Sequence, residues 1–256
     1  MSVASLTRLA TAVPVVVERL SDLARELELT NDELMACLGF IGDVARADEL
    51  VLLSDVLGIS RLVDDQTHAA SLGTPSNVLG PFYRPGAPWI ANPGSIAAID
   101  EPGGHVIVTG RVSDARAGTP IAGAAVDVWQ ANAAGRYSNE EASRDPWNLR
   151  GRQRTDREGR FTIATVQPAH YTVKDDGPVG QLLQALGRHP WRPAHIHFMI
   201  TADRYRSLVT QVYIGDGPYL TDDTINGVKS ELIVRVDSDR IAFDILLESD
   251  PTPGRP

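Results

Sequence analysis

One cysteine, Cys37, stands among 256 residues. That excludes an internal disulfide framework and any cysteine-based zinc cluster. Cys37 lies in an apolar stretch of helical spacing and is expected in the core. No apolar run reaches the roughly 18 residues that a membrane-crossing helix needs. A charged opening segment followed by an apolar block is also missing, so no signal peptide is expected. The chain has no Lys/Arg cluster, and its net charge of −9 speaks against a nucleic-acid partner. Internal repeats and low-complexity segments are absent. A soluble, cytoplasmic protein without membrane insertion is expected. The hydrophobic content of 43% and charged content of 22% are ordinary for a globular protein.

Two grammars divide the chain. Residues 1–73 are poor in Gly and Pro and read as helical. Val13, Val16, Val17, Leu20 and Leu23 follow a three/four rhythm. Thr30-Asn31-Asp32-Glu33 is a capping-box pattern opening a second helix through Leu34, Leu38 and Ile41. A third helix is expected over residues 47–63, with Leu50, Leu53 and Leu57 on one face. Each apolar stripe must be buried, against the rest of this chain or a second copy of it. Residues 74–104 are rich in Pro and Gly and predict a long structured connection. From His105 onward, β-rich runs alternate with turn signals, at 105–112, 124–129, 160–164, 195–201, 208–213 and 231–236. Residues 180–186 suggest a short helix within a longer excursion. The fold class expected is mainly β, an antiparallel β-sandwich over residues 74–256 behind an α-helical region over 1–73.

His195 and His197 are the pair that bears most on chemistry. Residues i and i+2 of a strand project to one face, so the two imidazoles stand side by side. Ile196, Phe198 and Ile200 then turn to the core. Two neutral imidazoles on a strand are a common start of a metal site. Two histidines on a solvated face remain the plain alternative at this point. The other histidines, His68, His105, His170 and His189, are scattered, and acidic pairs such as Asp175-Asp176 and Asp222-Asp223 read as turn formers. Tyr137 and Tyr171 each leave a strand in a loop, where functional side chains often lie. A phenolate is a hard anionic donor, and two of them with two imidazoles suit a ferric ion. A zinc hydrolase built on His-x-His fits less well, because zinc favours His, Cys and carboxylate. Each tyrosine alone reads as a half-buried aromatic with its hydroxyl at the surface.

Four motifs, in order, resemble the intradiol ring-cleavage dioxygenases of catechols. Val128-Trp129-Gln130-Ala131-Asn132 with Gly135-Arg136-Tyr137 looks like the family's first tyrosine motif. Asp175-Asp176-Gly177-Pro178-Val179-Gly180 looks like the segment after its second tyrosine, here Tyr171. Arg192-Pro193-Ala194-His195-Ile196-His197-Phe198 is similar to its histidine motif, and Gly80-Pro81-Phe82-Tyr83 to its substrate-side loop. The resemblance spans roughly residues 50–235, and four ordered motifs are more specific than one. Residues 129–137 and 191–195 read much like protocatechuate enzymes. The 24 positions between Tyr171 and His195, the helical N-terminal region and Ser54-Asp55-Val56-Leu57-Gly58-Ile59-Ser60 resemble instead the catechol, chlorocatechol and hydroxyquinol branch. Residues 176–180 are closest to its hydroxyquinol and chlorocatechol members.

The resemblance implies one Fe(III) per subunit, held by Tyr137, Tyr171, His195 and His197. It implies O2-dependent ring opening of a small aromatic diol, most simply hydroxyquinol or a substituted catechol, to a cis,cis-muconate. Tyr171 is implied as the tyrosinate that leaves iron when substrate arrives and takes up a proton. Arg192 and Gln211 match positions lining the substrate ring, where a guanidinium stabilises developing negative charge. Val78, Pro81 and Phe82, with Leu62 and Asp65 from the helical region, are candidates for the pocket wall. An acidic Asp65 near the ring would recognise a third hydroxyl. The branch also implies a homodimer through the N-terminal helices, with room for a bound phospholipid. Catechol or chlorocatechol as main substrate is the rival within the class. A non-catalytic transthyretin-like binding module is the rival outside it, carried by Gly110-Arg111-Val112-Ser113-Asp114 and Thr119-Pro120-Ile121-Ala122-Gly123-Ala124.

Overall fold

The structure, a computed structural model, describes residues 3–140 and 145–250, with side chains from residue 7 onward. The chain divides into two compact units, Met1–Asp48 and Glu49–Pro256. In the first, α1 (Val3–Glu26) and α2 (Asn31–Arg46) follow the expected rhythm. The capping box at the start of α2 is formed: the Glu33 amide donates to Thr30 Oγ1 at 3.3 Å, and the Thr30 amide to Glu33 Oε2 at 2.8 Å. Cys37 is exposed, not in a core. The apolar stretch around it misled, because Leu34, Met35, Leu38 and Ile41 are exposed on the same helix.

The second unit opens with two short helices where one was expected, α3 (Leu50–Val56) and α4 (Ile59–Thr67). Gly58, at φ 76°, separates them, a backbone conformation that favours glycine and that no helix interior permits. The strands are β1 (Gly94–Ser95), β2 (His105–Asp114), β3 (Ala125–Gln130), β4 (Arg150–Arg154), β5 (Arg160–Val166), β6 (Tyr171–Thr172), β7 (Trp191–Arg192), β8 (His195–Thr201), β9 (Leu208–Ile214), β10 (Ile233–Val234), β11 (Arg240–Ala242) and β12 (Ile245–Leu247). The expected strand over 231–236 shrinks to β10, because Ser230–Leu232 winds into a 3₁₀ turn. Between β6 and β7 lies α5 (Pro178–Ala185), the expected short helix.

Of two five-stranded sheets, one has the order β1-β5-β2-β11, with β12 also on β2, and the other β10-β9-β8-β3-β4; β6 and β7 form a separate two-stranded sheet. The long central pairings are antiparallel, but β1, β10, β11 and β12 pair parallel. The sheets are therefore mixed, not purely antiparallel. Sequence alternation locates strands but carries no strand direction, so short strands reached by long connections escape it. Alternation does sort the faces. Val106 and Val108 of β2, Phe161 and Ile163 of β5, Val126 and Val128 of β3, and Ile196, Phe198 and Ile200 of β8 all enter one buried cluster. Both sheets thus feed a single β-rich core, and the alternate residues of β3, β8 and β9 are left on the opposite face.

Candidate metal centre

That opposite face is not solvated. His195 and His197 are each only 1% exposed. Their Nε2 atoms lie 3.1 Å apart. His195 Nδ1 is 2.8 Å from the Pro193 carbonyl oxygen, which can only accept. Nδ1 therefore carries the proton and Nε2 presents its lone pair. Burial, reinforced by Arg192, holds His195 well below the ordinary imidazole range, and burial with His195 does the same to His197. Both rings are thus neutral, the form in which imidazole binds a metal. The Trp129 ring stacks on His197 at 4.7 Å and 10°, limiting its rotation.

A loop brings Tyr137, and the start of β6 brings Tyr171, to these rings. The Tyr137 ring lies edge-on to that of Tyr171 at 5.4 Å. Tyr171 is 5.5 Å from the His195 ring, and Tyr137 6.4 Å from that of His197. Gly135, at φ 76°, makes the approach possible: a Cβ there would fall 2.7 Å from the His170 carbonyl oxygen and 3.1 Å from Tyr171 Cβ. Neither tyrosine keeps its hydroxyl at the surface, with Tyr137 at 0% and Tyr171 at 6% exposure. Among the described residues the Tyr137 hydroxyl has no hydrogen-bond partner. Burial pushes the Tyr137 phenol well above its usual range, aided by Tyr171, and burial also raises Tyr171, against the pull of Arg192. A buried phenol without a partner is costly unless something completes it, and a cation between two phenols and two neutral imidazoles does so. The donor set fits a hard trivalent ion.

Arg192 is the hub of this face. Nε donates to Asp223 Oδ1 at 3.1 Å, Nη1 to the Tyr171 hydroxyl at 3.3 Å, and Nη2 to Gln211 Oε1 at 3.1 Å. Nη1 also lies 3.1 Å from His195 Nε2. Gln211 in turn donates from Nε2 to the Val78 carbonyl at 2.8 Å. Phe82 stacks on Tyr137 at 4.2 Å. Gly80 passes so close to His197 that a Cβ would lie 3.3 Å from Cε1. Residues 78–82 therefore lie directly over the cluster, with Pro81 exposed between Gly80 and Phe82.

Leu62 and Asp65 are placed otherwise. Leu62 is 52% exposed. Asp65 bonds Arg61 at 2.6 Å and Lys229 at 2.8 Å, and no contact among the described residues joins it to the cluster. The helical acid that does feel the site is Asp55, 3% exposed on the buried face of α3 with Leu52, Leu53 and Val56. Burial raises its carboxyl, and both Arg192 and Asp223 act on it. An acid one turn from Leu52, inside a leucine stripe, was the signal available in the sequence. Asp223, a turn former by its sequence context, is instead the buried partner of Arg192. Tyr213, buried and bonded to Gln211 at 2.8 Å, and Asn77, bonded to Tyr213 at 3.2 Å, carried no sequence signal.

The sequence pattern described as "Dioxygenase" matches residues 78–248, and "Catechol dioxygenase N terminus" matches 7–74. The chain belongs to the intradiol ring-cleavage dioxygenases. It is 40% identical over 233 residues to hydroxyquinol 1,2-dioxygenase of Rhizobium sp. (strain MTP-10005), covering 88% of this chain and 78% of that one. It is 41% identical over 223 residues to 6-chlorohydroxyquinol 1,2-dioxygenase of Cupriavidus pinatubonensis (strain JMP 134 / LMG 1197), covering 85% and 80%. Among solved structures, hydroxyquinol 1,2-dioxygenase from Pseudomonas putida DLL-E4 superposes with a TM-score of 0.87 at 37% identity, covering 95% of this chain and 93% of that one. This dioxygenase is thus an oxygenase that opens an aromatic ring, and its family uses non-haem iron. Membership sets aside both the non-catalytic binding module and the zinc hydrolase. No described helix is long and apolar enough to cross a membrane.

Proposed function

We propose that this dioxygenase opens hydroxyquinol, or a closely related trihydroxylated ring, with O2 to a cis,cis-muconate-type product. Fe(III), one per subunit, is held by Tyr137, Tyr171, His195 and His197. The observation that carries the reading is the meeting of two buried phenols with two neutral imidazoles whose Nε2 atoms stand 3.1 Å apart. When bound, the ferric ion draws electron density from the diol and makes its ring carbon reactive toward O2.

The chain's own residues supply the rest. Arg192 holds the Tyr171 hydroxyl at 3.3 Å, so a proton delivered to that oxygen stays at a fixed place. The same guanidinium, locked by Asp223, offers positive charge where the ring becomes electron-rich. Gln211 fixes the backbone at Val78, and Val78, Pro81 and Phe82 form the lid that excludes water from the reacting ring. Asp55, rather than Asp65, is the acid that accepts a hydrogen bond from a third ring hydroxyl. Its burial, the influence of the Arg192 charge on it and the hydroxyquinol enzymes among the relatives support this.

The reading includes two packed sheets as a sandwich and a homodimer through α1 and α2. Val13, Val16, Leu20, Leu23, Leu34 and Leu38 are exposed on those helices, a face that suits a second copy and an acyl chain alike. A lone cysteine fits a cytoplasmic setting.

Iron-loaded protein is expected to show a visible tyrosinate-to-iron charge-transfer band and to take up O2 with hydroxyquinol. Relative kcat/KM on hydroxyquinol, catechol and 4-chlorocatechol reads the substrate. A colourless iron-loaded protein would refute the ligand set, and a preference for catechol would refute the third-hydroxyl reading.

A further inference from the structure

Residues 78–83 are tied down at four places over the metal cluster. Gln211 holds the Val78 carbonyl, Gly80 rests on His197, and Arg150 Nη1 donates to the Phe82 carbonyl oxygen at 2.6 Å. The fourth tie is Tyr83, whose hydroxyl donates to Asp127 Oδ2 at 3.3 Å. Asp127 comes from β3, two residues before Trp129 and on the same strand face. The Tyr83 ring lies 4.9 Å from that of Trp129, and Trp129 stacks on His197. Tyr83 is thus caught between a carboxylate that takes its proton-bearing oxygen and an indole that backs a candidate ligand.

A carboxylate in this position needs a reason. Asp127 is 5% exposed, and burial pushes its carboxyl up to about 6. It borders a cavity of about 540 Å³ on the face of the sheet away from the core, near Arg152, Arg154 and Asp203. The only hydrogen bond to its carboxylate among the described residues is the one from Tyr83. An apolar residue would fill this buried strand position at lower cost. What the carboxylate offers instead is a fixed acceptor for the Tyr83 hydroxyl.

We propose that Asp127 is a positioning residue for ring cleavage: through Tyr83 it holds residues 78–82 against the metal cluster, and so sets the affinity for the diol. It touches neither substrate nor metal. The inference rests on the proposed function for its kinetic consequence, but the hold on Tyr83 stands on geometry alone.

The test compares wild-type holoenzyme with Asp127→Ala, Asp127→Asn, Tyr83→Phe and the double variant Tyr83→Phe/Asp127→Ala. Loss of one such hydrogen bond should raise KM for hydroxyquinol about threefold to tenfold, with kcat changed far less. Asn keeps an acceptor, so Asp127→Asn should restore KM close to wild type. The double variant should be no worse than either single one, since both remove the same bond. Amide hydrogen exchange over residues 79–84, followed in metal-free protein as well, should quicken in Asp127→Ala and Tyr83→Phe and return to the wild-type rate in Asp127→Asn. Unchanged KM and exchange in Tyr83→Phe, failure of Asn to rescue, or additive effects in the double variant would each overturn the proposal. If Asp127→Ala does not fold, Tyr83→Phe and Asp127→Asn decide it alone. A wild-type protein with neither charge-transfer band nor turnover would sink the proposed function, while the exchange arm would still judge the role of Asp127.

Discussion

Arg192 and Asp223 form an ion pair 3.1 Å apart with side chains 3% and 1% exposed, and the same guanidinium reaches Tyr171. Asp223 thus anchors the guanidinium that reaches Tyr171. Replacing it strands a buried cation. Asp223→Asn should lower folding stability by about 3–5 kcal/mol, the usual result of removing one partner of a buried pair. Urea denaturation at neutral pH reads this, and a loss below about 1 kcal/mol would mean that Arg192 finds another partner.

Tyr171→Phe deletes a hydroxyl while keeping the ring that packs against Phe82, Tyr137 and His195. The fold should survive, and the charge-transfer absorption should weaken and shift. Turnover should fall roughly 10²- to 10⁴-fold, the range for losing a positioned proton acceptor. Wild-type kcat in a variant with full iron content would remove Tyr171 from the reaction.

Asp55 and Asp65 separate by substrate. Asp55→Ala should lower kcat/KM for hydroxyquinol about tenfold or more while changing that for catechol much less, because only the former leaves a hydroxyl unpaired. Asp65→Asn should leave the ratio of the two substrates unchanged, since Asp65 answers to Arg61 and Lys229. Equal losses on both substrates in Asp55→Ala would assign it a structural role.

Asp127 predicts a pH dependence of stability. Its carboxyl sits at about 6 in the fold against 3.8 in a free chain. Between those values the native protein holds a proton that the unfolded chain has released, so stability falls as pH rises through that window. Asp127→Asn removes the effect. The variant's stability relative to wild type should therefore grow by about 1 to 2 kcal/mol from pH 4 to pH 7, after allowance for screening from the cavity side. Tyr83, Arg150 and Arg152 act on the group, and Arg154 and Asp203 share its cavity; all five remain in the variant, so the difference isolates the carboxyl. A pH-independent gap between the two proteins would refute the shift.

Gly135→Ala should be strongly destabilising, with a melting temperature lowered by several degrees. The residue lies at φ 76°, and the new Cβ would meet the His170 carbonyl oxygen at 2.7 Å. Iron affinity should fall with it, because that contact sets the spacing of Tyr137 and Tyr171. A variant as stable as wild type would show that the two segments can separate freely.

Much of this was legible from residue order. Alternation along residues 195–201 already divided Ile196, Phe198 and Ile200 from His195 and His197, and Thr30 with Glu33 announced the start of α2. These features depend on neighbours within one turn or one strand, and local backbone geometry is what sequence periodicity encodes. Family motifs added Tyr137, Tyr171, Arg192 and Gln211. Asp65 bonds Arg61 and Lys229, whereas the buried acid on which Arg192 acts is Asp55, one helix earlier. Both Asp55 and Asp65 lie on helical segments, and only the break at Gly58 decides which face each helix turns inward. The pairing of Asp223 with Arg192, and of Tyr83 in the substrate-side loop motif with Asp127, is not legible for a related reason: each partner lies far along the chain.

Residue order alone carries the alternation that puts His195 and His197 on one strand face, and the helical character of the first segment. Contacts across the fold bury that face, keep its histidines neutral and pair Asp223 with Arg192 and Asp127 with Tyr83. Periodicity assigns a side chain to a face, but what covers that face depends on contacts between residues distant in the chain, and burial and charge are set by those contacts.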